Sequence, residues 1–115
     1  MLEINMEFRK GILFVRLSGE LTKKTFWKLD EDVTCLIKDN GIRNVVFNVS
    51  DLRYIDAKGI SFLFYNYELC HDNKGRCLVC GLVCDDVRNR FKSSRLLNYM
   101  LEVSDELLAI EDINV

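Results

Sequence analysis

Val45-Val46-Phe47-Asn48-Val49-Ser50-Asp51-Leu52-Arg53-Tyr54-Ile55-Asp56-Ala57-Lys58-Gly59-Ile60 is the stretch on which the fold turns. Val45 to Phe47 read as a short buried strand, and the more polar run after them reads as a loop. Asp56 then stands where a helix N-cap belongs, because its carboxylate can accept from backbone N–H groups that the first turn leaves unpaired. The helix it opens runs from about Ala57 to His71 and gives way to the turn Asp72-Asn73-Lys74-Gly75. Cys77 to Leu82 follows as another buried strand, which completes a strand–helix–strand unit.

On the N-terminal side, Leu2, Ile4, Met6 and Phe8 alternate with Glu3, Asn5 and Glu7, the period-two pattern of a strand with one wet face. Arg9-Lys10-Gly11 is a turn, and Ile12 to Leu17, apolar apart from Arg16, is the more central strand of the hairpin. Thr22 is placed to cap a helix that ends at Asn40-Gly41, with Phe26, Leu29, Val33, Leu36 and Ile37 as its buried stripe. Beyond Leu82, a short helix begins near Asp85 and turns Val87 and Phe91 inward. A brief strand spans Tyr99 to Val103, and Ser104 is placed to cap a last helix. The predicted order is β-β-α-β-α-β-α-β-α. This is an α/β fold with a mixed central β-sheet, an N-terminal hairpin and about four helices.

The chain of 115 residues has the length of a single domain, and 49% hydrophobic residues supply its core. Sixteen basic against eighteen acidic residues leave a net charge of -2, which argues against direct nucleic-acid binding. No apolar run approaches the roughly 20 residues of a membrane span. The first residues, Met1-Leu2-Glu3-Ile4-Asn5, do not read as a secretory signal. Five cysteines, an odd number, fit reduced thiols and a cytoplasmic setting.

The helix after Asp56 is apolar on two sides. At about 100° per residue, Ile60, Leu63, Phe64 and Tyr67 form one face, while Phe62, Tyr65 and Leu69 lie opposite, with Lys58 one turn before Phe62. A core needs only one such stripe. Either a neighbouring helix partly covers the second, or it is a protein-binding face with its aromatics as anchors.

The run from Asn48 to Ile60 resembles the signature of the STAS family of anti-anti-sigma factors: an apolar strand, a short loop, then Asp-Ser-x-Gly-Leu opening a helix. Gly19-Glu20-Leu21 is similar to the family's Gly-x-Leu, and Phe91-Lys92-Ser93-Ser94-Arg95-Leu96 to its Phe-x-x-Ser-Gly-Leu, with Arg95 in place of glycine. The resemblance implies a STAS fold and a bacterial anti-sigma factor antagonist. Such a protein is not an enzyme: it sequesters an anti-sigma factor of the histidine-kinase-like ATPase type and so activates transcription indirectly. The implied partner-binding residues are Asp56, Ala57, Lys58, Gly59, Phe62, Tyr65 and Leu69. A homodimer is compatible with it. An accessory subunit of a transporter or of a stress-signalling assembly is the alternative role.

Departures from the family pattern bear on control. Switchable members carry a phosphorylatable serine directly after the motif aspartate; here Ala57 has no hydroxyl, so that switch cannot operate at this residue. A phosphate there would add about two negative charges at a helix N-terminus, and alanine keeps the surface in its unmodified state. Lys58 is either a solvated lysine or one half of an ion pair with an acidic partner. Asn48 and Thr22 stand where the family often has aspartate. Ser50 and Ser61 are nearby hydroxyls, read first as ordinary surface serines.

Cys77-Leu78-Val79-Cys80 invites a zinc or redox reading, with Cys70, His71 and Cys84 close by. Leu78 and Val79 continue a strand, however, so the two thiols point to opposite faces and read as small core residues, with no metal. His71 has no Ser or Cys placed to pair with it, and phosphate-cradling glycine motifs are missing, so no cofactor is expected.

Overall fold

A computed structural model describes residues 1–114. Five strands form one sheet whose spatial order is the chain order: β1 (Leu2–Arg9), β2 (Ile12–Leu21), β3 (Val45–Ile55), β4 (Cys77–Cys80) and β5 (Leu101–Val103). β1 and β2 are the antiparallel hairpin, and every later neighbour is parallel. Helices α1 (Phe26–Leu29) and α2 (Cys35–Asn40) are joined through one π-helical stretch, Asp30–Thr34; α3 (Ala57–Asp72), α4 (Asp85–Ser93) and α5 (Glu106–Asn114) complete the set.

Parallel neighbours in chain order need crossovers of one hand, which stack the connecting helices on a single face of the sheet. Leu29, Val33 and Ile37 from the first rod, Leu63 from α3, and Val87 and Phe91 from α4 accordingly share one core with Leu13, Val15, Val45 and Phe47. The other face carries a smaller core in which Ala109 of α5 meets Ile12, Phe14, Val46, Leu78 and Cys80.

The element order follows the sequence reading, and several boundaries move. β3 does not stop at Phe47: it continues through the polar residues to Ile55, paired with β2 across two register shifts. Thr22 caps no helix. It sits in the preceding turn, where its carbonyl accepts from the N–H of Thr25 and Phe26, and the helix begins a full turn later. At the last helix the cap is Asp105 rather than Ser104, since Asp105 Oδ1 accepts from the Leu108 N–H at 3.0 Å. Met6 and Phe8, read as the dry side of β1, are exposed because β1 is an edge strand whose cover on the helix face ends after Leu2 and Ile4.

Candidate functional site

Asp56 caps α3 as expected: its Oδ1 accepts from the Gly59 N–H at 2.9 Å. Its second oxygen accepts from the Lys23 N–H at 3.0 Å, and its own N–H donates to the Leu21 carbonyl at 3.2 Å. The start of α3 is therefore clamped to the end of β2 and to the turn after it. Burial pushes the Asp56 carboxyl upward. N–H donors from Gly59, Lys23 and Lys58, with the Lys23 charge, outweigh that and hold it below its ordinary value.

Gly59 is buried where α3 passes closest to β2. A Cβ on it would fall inside contact distance of the Leu21 carbonyl oxygen, so a side chain there would push the helix outward. Ala57 and Lys58, by contrast, are exposed on the first turn. The Lys58 ammonium lies 4.6 Å from the centre of the Phe26 ring, which orients the lysine over α1.

The second stripe is half covered. Phe62, Tyr65 and Leu69 are half-buried, and the Phe62 ring lies 5.2 Å from Phe26 and 5.7 Å from Tyr65. Phe62 and Leu69 also pack on the larger core. On the other flank, Phe64 and Tyr67 are half-buried rather than core, stacked on each other and set against the exposed Tyr99. The innermost line of α3 is Gly59, Ile60, Leu63, Asn66 and Cys70. Thus Asp56, Ala57, Lys58, Gly59, Phe62, Tyr65 and Leu69 lie along one helix, with Asp56 and Gly59 fixing its start.

Sequence reasoning missed the surroundings. Lys23 reaches Asp56 only through the fold, and Phe26, assigned to the core, is half-buried beneath Lys58. On the far side of the cap, Tyr54 is exposed under the Arg90 guanidinium, 5.9 Å from its ring centre, at an open hollow lined by Ile55, Asp86 and Asn89. A tyrosine among polar residues was the one available signal for this.

Of the two nearby hydroxyls, Ser61 is exposed one turn beyond Ala57. Ser50 lies on the other face of the sheet, donating to Asn48 Oδ1 at 2.8 Å. Asn48 in turn donates to Glu106 of α5 at 2.8 Å, which an aspartate at that position could not do. Cys77 and Cys80 face opposite sides as read, Cys77 in the larger core and Cys80 in the smaller. Burial pushes both thiols up, Cys80 to about 12, so neither is a ready nucleophile or metal ligand. His71 is exposed at the end of α3, its ring stacked on Tyr67.

Comparison with known proteins agrees with this architecture. The chain is 28% identical over 114 residues to an anti-sigma F factor antagonist of Paenibacillus polymyxa, across 99% of this chain and 97% of the relative. The crystal structure of an anti-sigma factor antagonist from Mycobacterium paratuberculosis is similar with a TM-score of 0.85 at 17% identity, covering 100% of this chain and 96% of that one. The Bacillus cell fate determinant SpoIIAA in its phosphorylated form matches with a TM-score of 0.74 at 19% identity, over 96% and 99% of the two chains. At these identities the solved structures speak for the fold, and the sequence itself carries the family: residues 3–107 match the STAS domain, and the chain belongs to the STAS domain family.

Proposed function

We propose that this protein is an anti-sigma factor antagonist. It docks through the first turns of α3 onto an anti-sigma factor of the histidine-kinase-like ATPase type in the cytoplasm and so frees a sigma factor. It acts by binding and not by catalysis. The observation that carries the reading is the first turn of α3: Ala57 and Lys58 are exposed there, beside the half-buried Phe62 and Tyr65, on a helix start that Asp56 holds rigid.

The relative from Paenibacillus polymyxa bears the same activity in its name, and SpoIIAA exists in a phosphorylated form. In this chain Ala57 offers no oxygen to phosphorylate, so the surface is constitutively competent and its output is set by amount. Lys58, steered by Phe26, presents a cation at the rim, where it selects an acidic patch on the partner.

Phe62→Asp is a poor probe, because Phe62 packs on the core. Ala57→Glu separates binding from folding: a carboxylate in the first helical turn favours the helix, yet it imitates a charged modification at the docking face. The measurement is titration calorimetry against the source organism's own anti-sigma factor of this type, beside thermal unfolding. Binding lost by at least tenfold in Ala57→Glu, with an unchanged or raised Tm, supports the proposal. Undiminished binding places the contact elsewhere. No binding by the natural chain ends this reading and turns attention to transporter or stress-signalling assemblies.

A further inference from the structure

Among the described residues, the outer edge of β1 pairs with no strand. The Met1 carbonyl accepts from the Glu20 N–H, and the Leu2–Arg9 ladder runs without a bulge against Gly19–Ile12. Odd-numbered residues of β1 therefore turn their backbone groups toward β2, and Leu2, Ile4, Met6 and Phe8 turn theirs outward. The Leu2 carbonyl is already taken by the Lys28 ammonium at 2.7 Å. What remains is a free run from Ile4 to Phe8, centred on Met6. Its side chains are unusually apolar for an edge, since Met6 is 38% and Phe8 61% exposed.

The geometry points to a second copy of this chain as the occupant, in one register. With a two-fold axis at Met6, the β1 strands of two copies pair antiparallel. Met6 then faces Met6, and Ile4 faces Phe8 of the other copy, so that the free donors and acceptors of both edges are used. The same register sets Glu3 opposite Arg9 and Asn5 opposite Glu7, twice over by symmetry. Cross-strand pairs of opposite charge favour it. Shifting the axis to Asn5 would oppose Glu3 with Glu7, and shifting it to Glu7 would oppose two copies of Glu7. Glu7 is already paired with Arg16 at 2.8 Å. The charges on β1 thus disfavour the adjacent registers chiefly by losing the Glu3–Arg9 pairs that this one makes, and this one gives a continuous ten-stranded sheet. At the other edge of the sheet, β5 offers only three residues.

The test is sedimentation velocity of the full chain over a concentration series at low ionic strength. Circular dichroism and thermal unfolding serve as controls for folding. Met6→Pro deletes an outward N–H that β2 does not use, so it should fold and abolish the dimer. Glu3→Arg sets two arginines against each other at both ends of the paired strands, and Arg9→Glu sets two glutamates there; each alone should weaken dimerisation about tenfold. An equimolar mixture of these two single variants restores both opposite-charge pairs and should dimerise like the natural chain. A chain that stays monomeric throughout overturns the proposal. So does a dimer indifferent to Met6→Pro, or single variants that fail to complement one another.

Discussion

Arg95 holds a backbone conformation that L-residues avoid, with φ of 65° at the position where the family places glycine. The Phe91-to-Leu96 segment needs this left-handed residue to turn from α4 back into the core, where Phe91 and Leu96 are both buried. The fold therefore carries a local cost of roughly 1–2 kcal/mol in one dihedral pair. Arg95 is exposed, and among the described residues its side chain makes no hydrogen bond or ion pair that would offset that cost. Arg95→Gly should raise stability by about 0.5–1 kcal/mol, the steric gain being offset by glycine's greater freedom in the unfolded chain. Equilibrium urea unfolding will show it, and an unchanged or lowered midpoint would refute the strain assignment.

The π-helical stretch in the first long helix coincides with a buried polar pair. Thr34 is fully buried within it, and its hydroxyl donates to Asn66 Oδ1 on α3 at 3.0 Å; the Asn66 amide donates to the Phe62 carbonyl at 2.9 Å. Thr34→Val keeps the shape and strands a buried acceptor, which costs about 1–3 kcal/mol. The expected readout is a lower urea midpoint. Pairing it with Asn66→Leu in a double-mutant cycle should recover part of the loss, because neither partner is then left unsatisfied. Nothing in local sequence announced this pair, since its members lie 32 positions apart. What was legible were the elements with a strong period or a clear cap: the hairpin, the two-faced helix and Asp56. What was not were features set by tertiary contact. Ser50 to Tyr54 are polar enough to read as a loop, yet β2 recruits them into β3. In the candidate site the cap could be read directly and Ala57 entered through the resemblance to the family, whereas the roles of Lys23 and Phe26 awaited the fold.

Across the sheet, α5 is fastened by charge as well as by its apolar side. Arg16 donates from Nε and Nη2 to the two oxygens of Glu106, each at 2.8 Å, and Asn48 adds a third bond. The Arg16 guanidinium, aided by Asn48, holds the Glu106 carboxyl below its ordinary value against the opposing pull of burial. Asp56 is depressed as well. A carboxyl with a lowered folded pKa contributes its stability in full above the unfolded value near pH 4, and loses it as pH falls through the folded value. Thermal unfolding from pH 7 down to pH 2 should therefore show Tm falling steeply below about pH 4. Glu106→Gln should start lower at neutral pH and fall less steeply, and a parallel decline would show that this clasp does not contribute to acid sensitivity. The Arg16–Glu106 clasp also joins residues 90 positions apart. During synthesis each strand can pair with the one already made, because spatial order is chain order. The face that α5 covers must nevertheless wait for it. Until α5 has left the ribosome, Ile12, Phe14, Val46 and Leu78 form an open greasy surface on a half-built protein. During that interval the nascent chain carries a surface prone to aggregation.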